Sequence, residues 1–216
     1  MLVLHSWTTP NGRKVPILLE ELGLAYEVHF VDISKNEQFE PDFLAISPNN
    51  KIPALVDYGA EDGPLSIFES GAILTYLADK YGRFLAPRGH ARWKAMEWLN
   101  WQVGSLGPML GQLGFFAVRS KEKAPLAIDR FTEEAGRLLG VLERRLGETR
   151  YLAGDDYTIA DIAAYPWMVT ATTVQKDVLA DILAGKKAIA RWMAELAARP
   201  AVQRGMAIKP PPRGIS

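Results

Sequence analysis

Near residue 87 the hydrophobic rhythm of the chain changes, and this limits its architecture more than any other feature. Before that point two periods alternate. Leu2 to Trp7 reads as a strand. "KVPILLEEL" (14–22) has apolar residues at Val15, Leu18, Leu19 and Leu22, a helical spacing that Gly23 can stop. Pro16 is expected in the first turn or so, where a missing N–H costs little. "AYEVHFVDI" sets Tyr26, Val28 and Phe30 against Glu27 and His29, a second strand. "QFEPDFLAI" predicts a short irregular helix. "IPALVDY" and "LSIFE" are two more strands around the turn-like "GAEDGP", and "SGAILTYLADKYG" is a helix ending at Gly82. The order βαβ, short helix, ββα describes a small α+β unit whose first two strands need the crossover helix to run parallel.

After Pro87 the strand signal stops. Residues 92–119 form a long, largely apolar helical segment. Gly104, Gly107, Pro108, Gly111 and Gly114 interrupt it, predicting a bend near Pro108. A second helix spans about 124–146, "TIADIAAYPWM" starts a third, and "ARWMAELAARP" is a fourth. The expected organisation is therefore an α+β domain over 1–82, an all-α domain over 90–205, and a proline-rich tail over 206–216.

Composition narrows the chemistry. Lysine plus arginine (25) balances aspartate plus glutamate (25) over 216 residues, which gives no reason to expect nucleic acid or an anionic membrane as partner. No stretch approaches the ~20 apolar residues of a membrane span, and the N-terminus does not read as a signal peptide. With no cysteine, the chain has no disulfide, no thiolate metal site and no thiol nucleophile of its own. Three widely spaced histidines, His5, His29 and His90, argue against a metal cluster. The expectation is a metal-free protein compatible with a reducing cytoplasm.

Four motifs carry what chemistry the sequence offers, and each has a structural alternative. In "WTTPNGRK" (7–14) a strand hands over to a helix amid Thr8, Thr9 and Asn11. This is either a capped turn or a site that holds a negative charge. In "NNKIPALVD" the Ile52-Pro53 bond opens a strand. A trans bond is the ordinary case; a cis bond would expose the Ile52 backbone to a peptide-like ligand. In "IFESGAIL" Ser70 is an ordinary N-cap, or it donates to a ligand carboxylate at the helix N-terminus while Glu69 pairs with an adjacent ammonium, the two together recognising an amino-acid headgroup. In "TIAD" Thr158 and Asp161 have capping-box spacing, and the reading is structural.

"KIP", "FES" and "TIAD", in this order and spacing, resemble the glutathione transferase superfamily, over nearly the whole chain up to about Pro200. "TPNGRKVPILLEELGLAYEVHFVDISKNEQFEPDFLAISPNNKIPALVD" and "WQVGSLGPMLGQ" look more closely like the Nu-class bacterial members, which are similar to disulfide-bond reductases. The resemblance implies a thioredoxin-like N-terminal domain followed by an all-α helical C-terminal domain. It implies glutathione as co-substrate without a metal, a symmetric homodimer, and a site that takes two glutathione molecules or their disulfide. By the same resemblance Thr9 and Asn11 stand beside the glutathione sulfur, and Gln38, Lys51, Ile52, Pro53, Glu69 and Ser70 hold the tripeptide. Arg130, in "AIDRF", is a further basic residue supplied by the helical domain.

Trp7 stands near the position of a catalytic tyrosine in other classes, and a cysteine mechanism is excluded by composition. The expected activity is glutathione-dependent disulfide reduction, with modest peroxidase activity. One departure bears on the alternatives. Where such enzymes commonly carry a polar, histidine-containing stretch after "GPMLGQ", this chain has "LGFF" with Phe115 and Phe116. An apolar second pocket would favour conjugation to an electrophilic carbon. The remaining alternative is a glutathione-binding regulatory protein without turnover.

Overall fold

The computed structural model describes residues 1–210, which form two compact units. The first contains Met1–Tyr81 together with the described residues from Arg199 onward; the second is Gly82–Ala198.

In the first unit β1 (Leu2–Ser6) leads into α1 (Pro10–Leu22), then β2 (Glu27–Phe30), α2 (Pro41–Ile46), β3 (Ala54–Asp57), β4 (Leu65–Phe68) and α3 (Ser70–Tyr81). The sheet order is β2-β1-β3-β4, with β1 and β2 parallel and the other pairs antiparallel. On β1, Leu2, Leu4 and Ser6 are buried and Val3 and His5 only half-buried, a strict period of two. Val15, Ile17, Leu18 and Leu19 of α1 are fully buried, as are Ile73, Leu74, Leu77 and Ala78 of α3. At the fully apolar end of the scale, burying one such side chain contributes about 1.5–3 kcal/mol. A second cluster of Val31, Phe43 and Ala54, with Ile46 and Ile52 against it, ties α2 to β3.

The helix α1 starts four residues earlier than its apolar spacing indicates, so Pro16 lies in its interior. Pro16 has no N–H to give the Gly12 carbonyl. The buried Ser6 hydroxyl takes that role instead, donating to Gly12 O at 2.9 Å. The proline is thereby tolerated, and β1 is fastened to the first turn of α1.

The final helix corrects the expected boundaries. Residues 200–207 form a tenth helix (Pro200–Ala207) that packs along α1 in the first unit, so the all-α domain ends near Ala198 and Met206 and Ala207 are helical. The packing is close: a Cβ on Gly205 would come within 2.6 Å of the Ile17 backbone. Arg199 donates to Glu21 at 2.6 and 2.9 Å, and Arg204 to Glu20 at 2.5 Å. Residues 211–216 of the expected tail lie outside the described residues.

The second unit holds α4 (Gly89–Trp101), α5 (Gly107–Leu113), α6 (Pro125–Glu148), α7 (Ile159–Thr173), α8 (Lys176–Leu183) and α9 (Lys187–Ala197), which makes the helix of residues 200–207 α10. The glycine-rich stretch around Pro108 is not one continuous α-helix. Two π-helical turns, Gln102–Leu106 and Gly114–Arg119, flank α5, and Pro108 sits harmlessly in the first turn of α5. Both halves of the Thr158–Asp161 capping box are made at the start of α7. Asp161 is fully buried. It accepts from Leu152 N–H (2.9 Å), Thr158 N–H (3.0 Å) and the indole N–H of Trp192 (2.9 Å). The structural reading of "TIAD" is therefore the one observed.

Candidate functional site

Three segments of the first unit carry the expected residues. The first is the turn from β1 into α1. Thr9 is the N-cap of α1, and its Oγ1 accepts from Gly12 N–H at 3.1 Å. A cap of this kind contributes about 1 kcal/mol. A hydroxyl that accepts there keeps its own proton to donate. Only glycine fits at position 12, because a Cβ would lie 2.0 Å from the Trp7 carbonyl oxygen. Thr9, Asn11 and Trp7 are half-buried. The capped-turn reading is thus correct, and the cap does not use the hydroxyl proton of Thr9.

The second segment is "KIP". The Ile52-Pro53 bond is cis. Buried Ser47 donates its hydroxyl to the Lys51 carbonyl at 2.8 Å and fixes the approach to it. Lys51 is exposed, Ile52 half-buried and Pro53 buried. Gln38 sits on a short 3-10 turn (Glu37–Phe39). Its Oε1 is buried, and no described residue donates to it.

The third segment is the start of α3. Ser70 is its first residue and is buried, while the preceding Glu69 is exposed. Glu69 has φ +70°, a left-handed conformation that non-glycine residues rarely adopt and that costs on the order of 1–3 kcal/mol. The first turn of α3 carries no acidic residue, so its positive end is not neutralised from within the helix.

The structure adds a residue that the sequence expectations did not include. Lys14 is 1% exposed, and its ammonium donates to Ser70 Oγ at 3.2 Å, linking α1 to the start of α3. Burial draws its pKa down to about 7, with the nearby Glu69 carboxylate pulling the other way. One signal was available: Lys14 lies three and four residues before Ile17 and Leu18, on the buried stripe of α1, where a charge needs a reason. Arg13 beside it is half-buried, its pKa lowered by burial, and its Nε is buried with no described partner.

Arg130 is an exposed residue of α6 in the helical unit. Next to it in sequence, Phe131 stacks on Phe116 (ring centroids 5.8 Å, planes 12° apart), and Phe115 meets Phe116 edge-on at 5.0 Å. The "LGFF" stretch therefore builds an aromatic cluster with α6. Among the described residues no group of three or more His, Asp or Glu side chains is placed to hold a metal ion. Among them, too, no helix is long and apolar enough to cross a membrane.

Known proteins match along nearly the full length. Residues 1–79 match the family model of the glutathione S-transferase N-terminal domain, and residues 106–200 that of the C-terminal domain. The disulfide-bond oxidoreductase YfcG of Escherichia coli is 46% identical over 208 residues, covering 95% of this chain and 94% of its own length. A glutathione transferase family member from Pseudomonas fluorescens, solved with two glutathione bound, is 45% identical. It has a TM-score of 0.90 and covers 95% of this chain and 92% of its own. A glutathione transferase from Pseudomonas putida, solved with one glutathione disulfide bound per subunit, is 42% identical with a TM-score of 0.91, over 96% and 91% of the two chains.

Proposed function

Given that the chain belongs to the glutathione S-transferase family, we propose that it is a glutathione-dependent disulfide-bond oxidoreductase. The observation that carries this reading is the Thr9 turn in a chain without cysteine. A hydroxyl whose oxygen is occupied by Gly12 N–H has a proton to offer a sulfur anion at the N-terminus of α1, and no protein thiol competes for that role.

The residues divide the work by chemistry. Thr9 donates to the glutathione sulfur and, with Asn11 and the amide ends of α1, stabilises the thiolate over the thiol. Ser70 and the open N-terminus of α3 take a carboxylate, and Glu69 takes an ammonium; glutathione carries both at its γ-glutamyl end. Lys51, Ile52, Pro53 and Gln38 hold the remainder of the tripeptide. Arg130 is assigned a ligand contact on the family resemblance.

The reaction is two successive exchanges. A bound glutathione thiolate attacks one sulfur of a disulfide, forming a mixed disulfide and expelling a thiolate that takes up a proton. A second glutathione thiolate attacks the glutathione sulfur of the mixed disulfide. That step forms glutathione disulfide and releases the second thiol. Two glutathiones are oxidised and one disulfide is reduced. The protein supplies position and charge stabilisation. The Pseudomonas relatives, with two glutathiones in one case and the disulfide in the other, support this sequence by analogy. A symmetric homodimer, a cytoplasmic location and modest peroxidase activity go with the same reading.

A specific observation favours a second reading. The Phe115–Phe116–Phe131 cluster is apolar where the resemblance leads one to expect histidine, which suits conjugation of an aromatic electrophile. Turnover with reduced glutathione, measured in parallel on bis-hydroxyethyl disulfide and an aryl halide, separates the two. Disulfide reduction is expected to dominate. Dominant aryl conjugation would favour the second reading, and glutathione binding without either turnover would favour a regulatory protein.

A further inference from the structure

Lys14 presents a problem that packing alone does not answer. A methionine would fill the same space on α1 without the desolvation cost of an ammonium, yet the chain buries a lysine there. What the ammonium does is set the direction of a hydrogen bond. It can only donate, so the Ser70 oxygen must accept from it, at 3.2 Å. The hydroxyl hydrogen of Ser70 is then turned away from Lys14. A neutral amine can accept, and the hydroxyl would be free to turn inward.

We propose that Lys14 is a positioning residue for ligand binding: its buried ammonium holds the Ser70 hydroxyl as an outward donor and places a positive charge beneath the N-terminus of α3, where a ligand carboxylate would bind. This rests on the glutathione reading above and deepens it. The strained backbone at Glu69 supports it, since φ +70° is a cost accepted beside the same contact.

Lys14 is also placed to make binding respond to pH. Its pKa near 7 means that charge is present below neutrality and lost above it. Of the charged groups on elements packed against α1, Glu69 at the start of α3 acts on Lys14. His5 on β1 pairs with His29 (centroids 5.0 Å), and burial and His29 hold it near 4, neutral above pH 5.5. Lys80 at the far end of α3 is engaged by Asp57, and Arg204 on α10 by Glu20.

The test uses S-methylglutathione, which has no titrating thiol, and isothermal titration of the full chain between pH 5.5 and 8.0. Wild type, Lys14→Met, Ser70→Ala and the double variant are compared. Wild type should bind more weakly as pH rises through about 7. Lys14→Met should bind about tenfold or more weakly at pH 6, the scale of a lost charge-assisted hydrogen bond, and lose most of that pH dependence. The double variant should fall less than threefold below Ser70→Ala, because both changes remove one coupled contact. Equal affinity of Lys14→Met and wild type at pH 6, or two full and additive losses, overturns the proposal. Should Lys14→Met fail to fold by circular dichroism, pH-independent binding by wild type across the range overturns it. Absence of binding by wild type at every pH strikes the glutathione reading itself.

Discussion

The N-terminus of α7 is closed by a carboxylate of the helix itself; the first turn of α3 holds none, and the Glu69 just before it is exposed. Asp161 closes the first, accepting from Leu152, Thr158 and Trp192 in a fully buried cluster. Burial pushes the Asp161 carboxyl above the usual carboxylate range, while the hydrogen bonds it accepts pull the other way. The start of α3 has a serine, a buried lysine beneath it and a residue in a left-handed conformation before it, with no acid in its first turn. Both ends carry the same partial positive charge. One end is neutralised from within and serves the fold. The other, in the proposed function, takes an anion from outside.

The largest effect should come from breaking the closed end. Asp161→Ala leaves a buried indole N–H and two backbone N–H groups without their acceptor. It should lower stability by about 3–5 kcal/mol in urea unfolding, the cost of breaking a fully buried polar network. Affinity for glutathione in the protein that remains folded should be unchanged. A loss of affinity in the folded fraction would mean that the two helix ends are not separable in function.

Next comes the turn before α1. Thr9→Ala should remove about 1 kcal/mol of capping. It should also slow disulfide reduction by about ten- to a hundredfold, if its hydroxyl contributes the ~1.5–3 kcal/mol of a hydrogen bond to a charged group. Thr9→Ser keeps both functions. Turnover unchanged in Thr9→Ala would reduce Thr9 to a helix cap.

At the open end, Ser70→Ala should weaken glutathione binding about tenfold and change the unfolding free energy by less than ~1 kcal/mol. That is the inverse of the Asp161 result, and a large stability loss here would erase the contrast.

The smallest effect concerns the far end of α3, where buried Asp57 accepts from Lys80, Tyr76 and Gly59 N–H. Burial pushes the Asp57 carboxyl up, but these hydrogen bonds and the Lys80 charge outweigh it and hold it below its usual value. Its stabilising contribution is therefore present above its ordinary titration range and lost as pH falls through the lowered one. Lys80→Met should reduce stability at pH 7 by about 1 kcal/mol, with the difference shrinking in acid. Chemical unfolding at pH 7 and below pH 3 reads both.

The sequence revealed these regions unevenly. The strands and α1 were legible because β1 alternates by two and α1 repeats by 3.6. The capping box was legible because both of its partners are close in sequence. The helices α8 and α10 were not, being eight residues each with few buried positions. Pro16 falls in the interior of α1 because the helix starts at Pro10, and it is tolerated through a contact that no periodicity contains, the Ser6 hydroxyl on the Gly12 carbonyl. Lys14 escaped for a similar reason. Its partner is 56 residues away, and lysine on a helix ordinarily faces solvent.

The most direct test is a titration of the full isotope-labelled chain with glutathione disulfide, followed through backbone amide chemical shifts. The amides of Thr9, Asn11 to Lys14, Lys51, Ile52, Glu69 and Ser70 should move with a common saturation curve, while those of Thr158 to Asp161 stay in place. Saturable binding that leaves Ser70 and Thr9 unmoved would contradict the account.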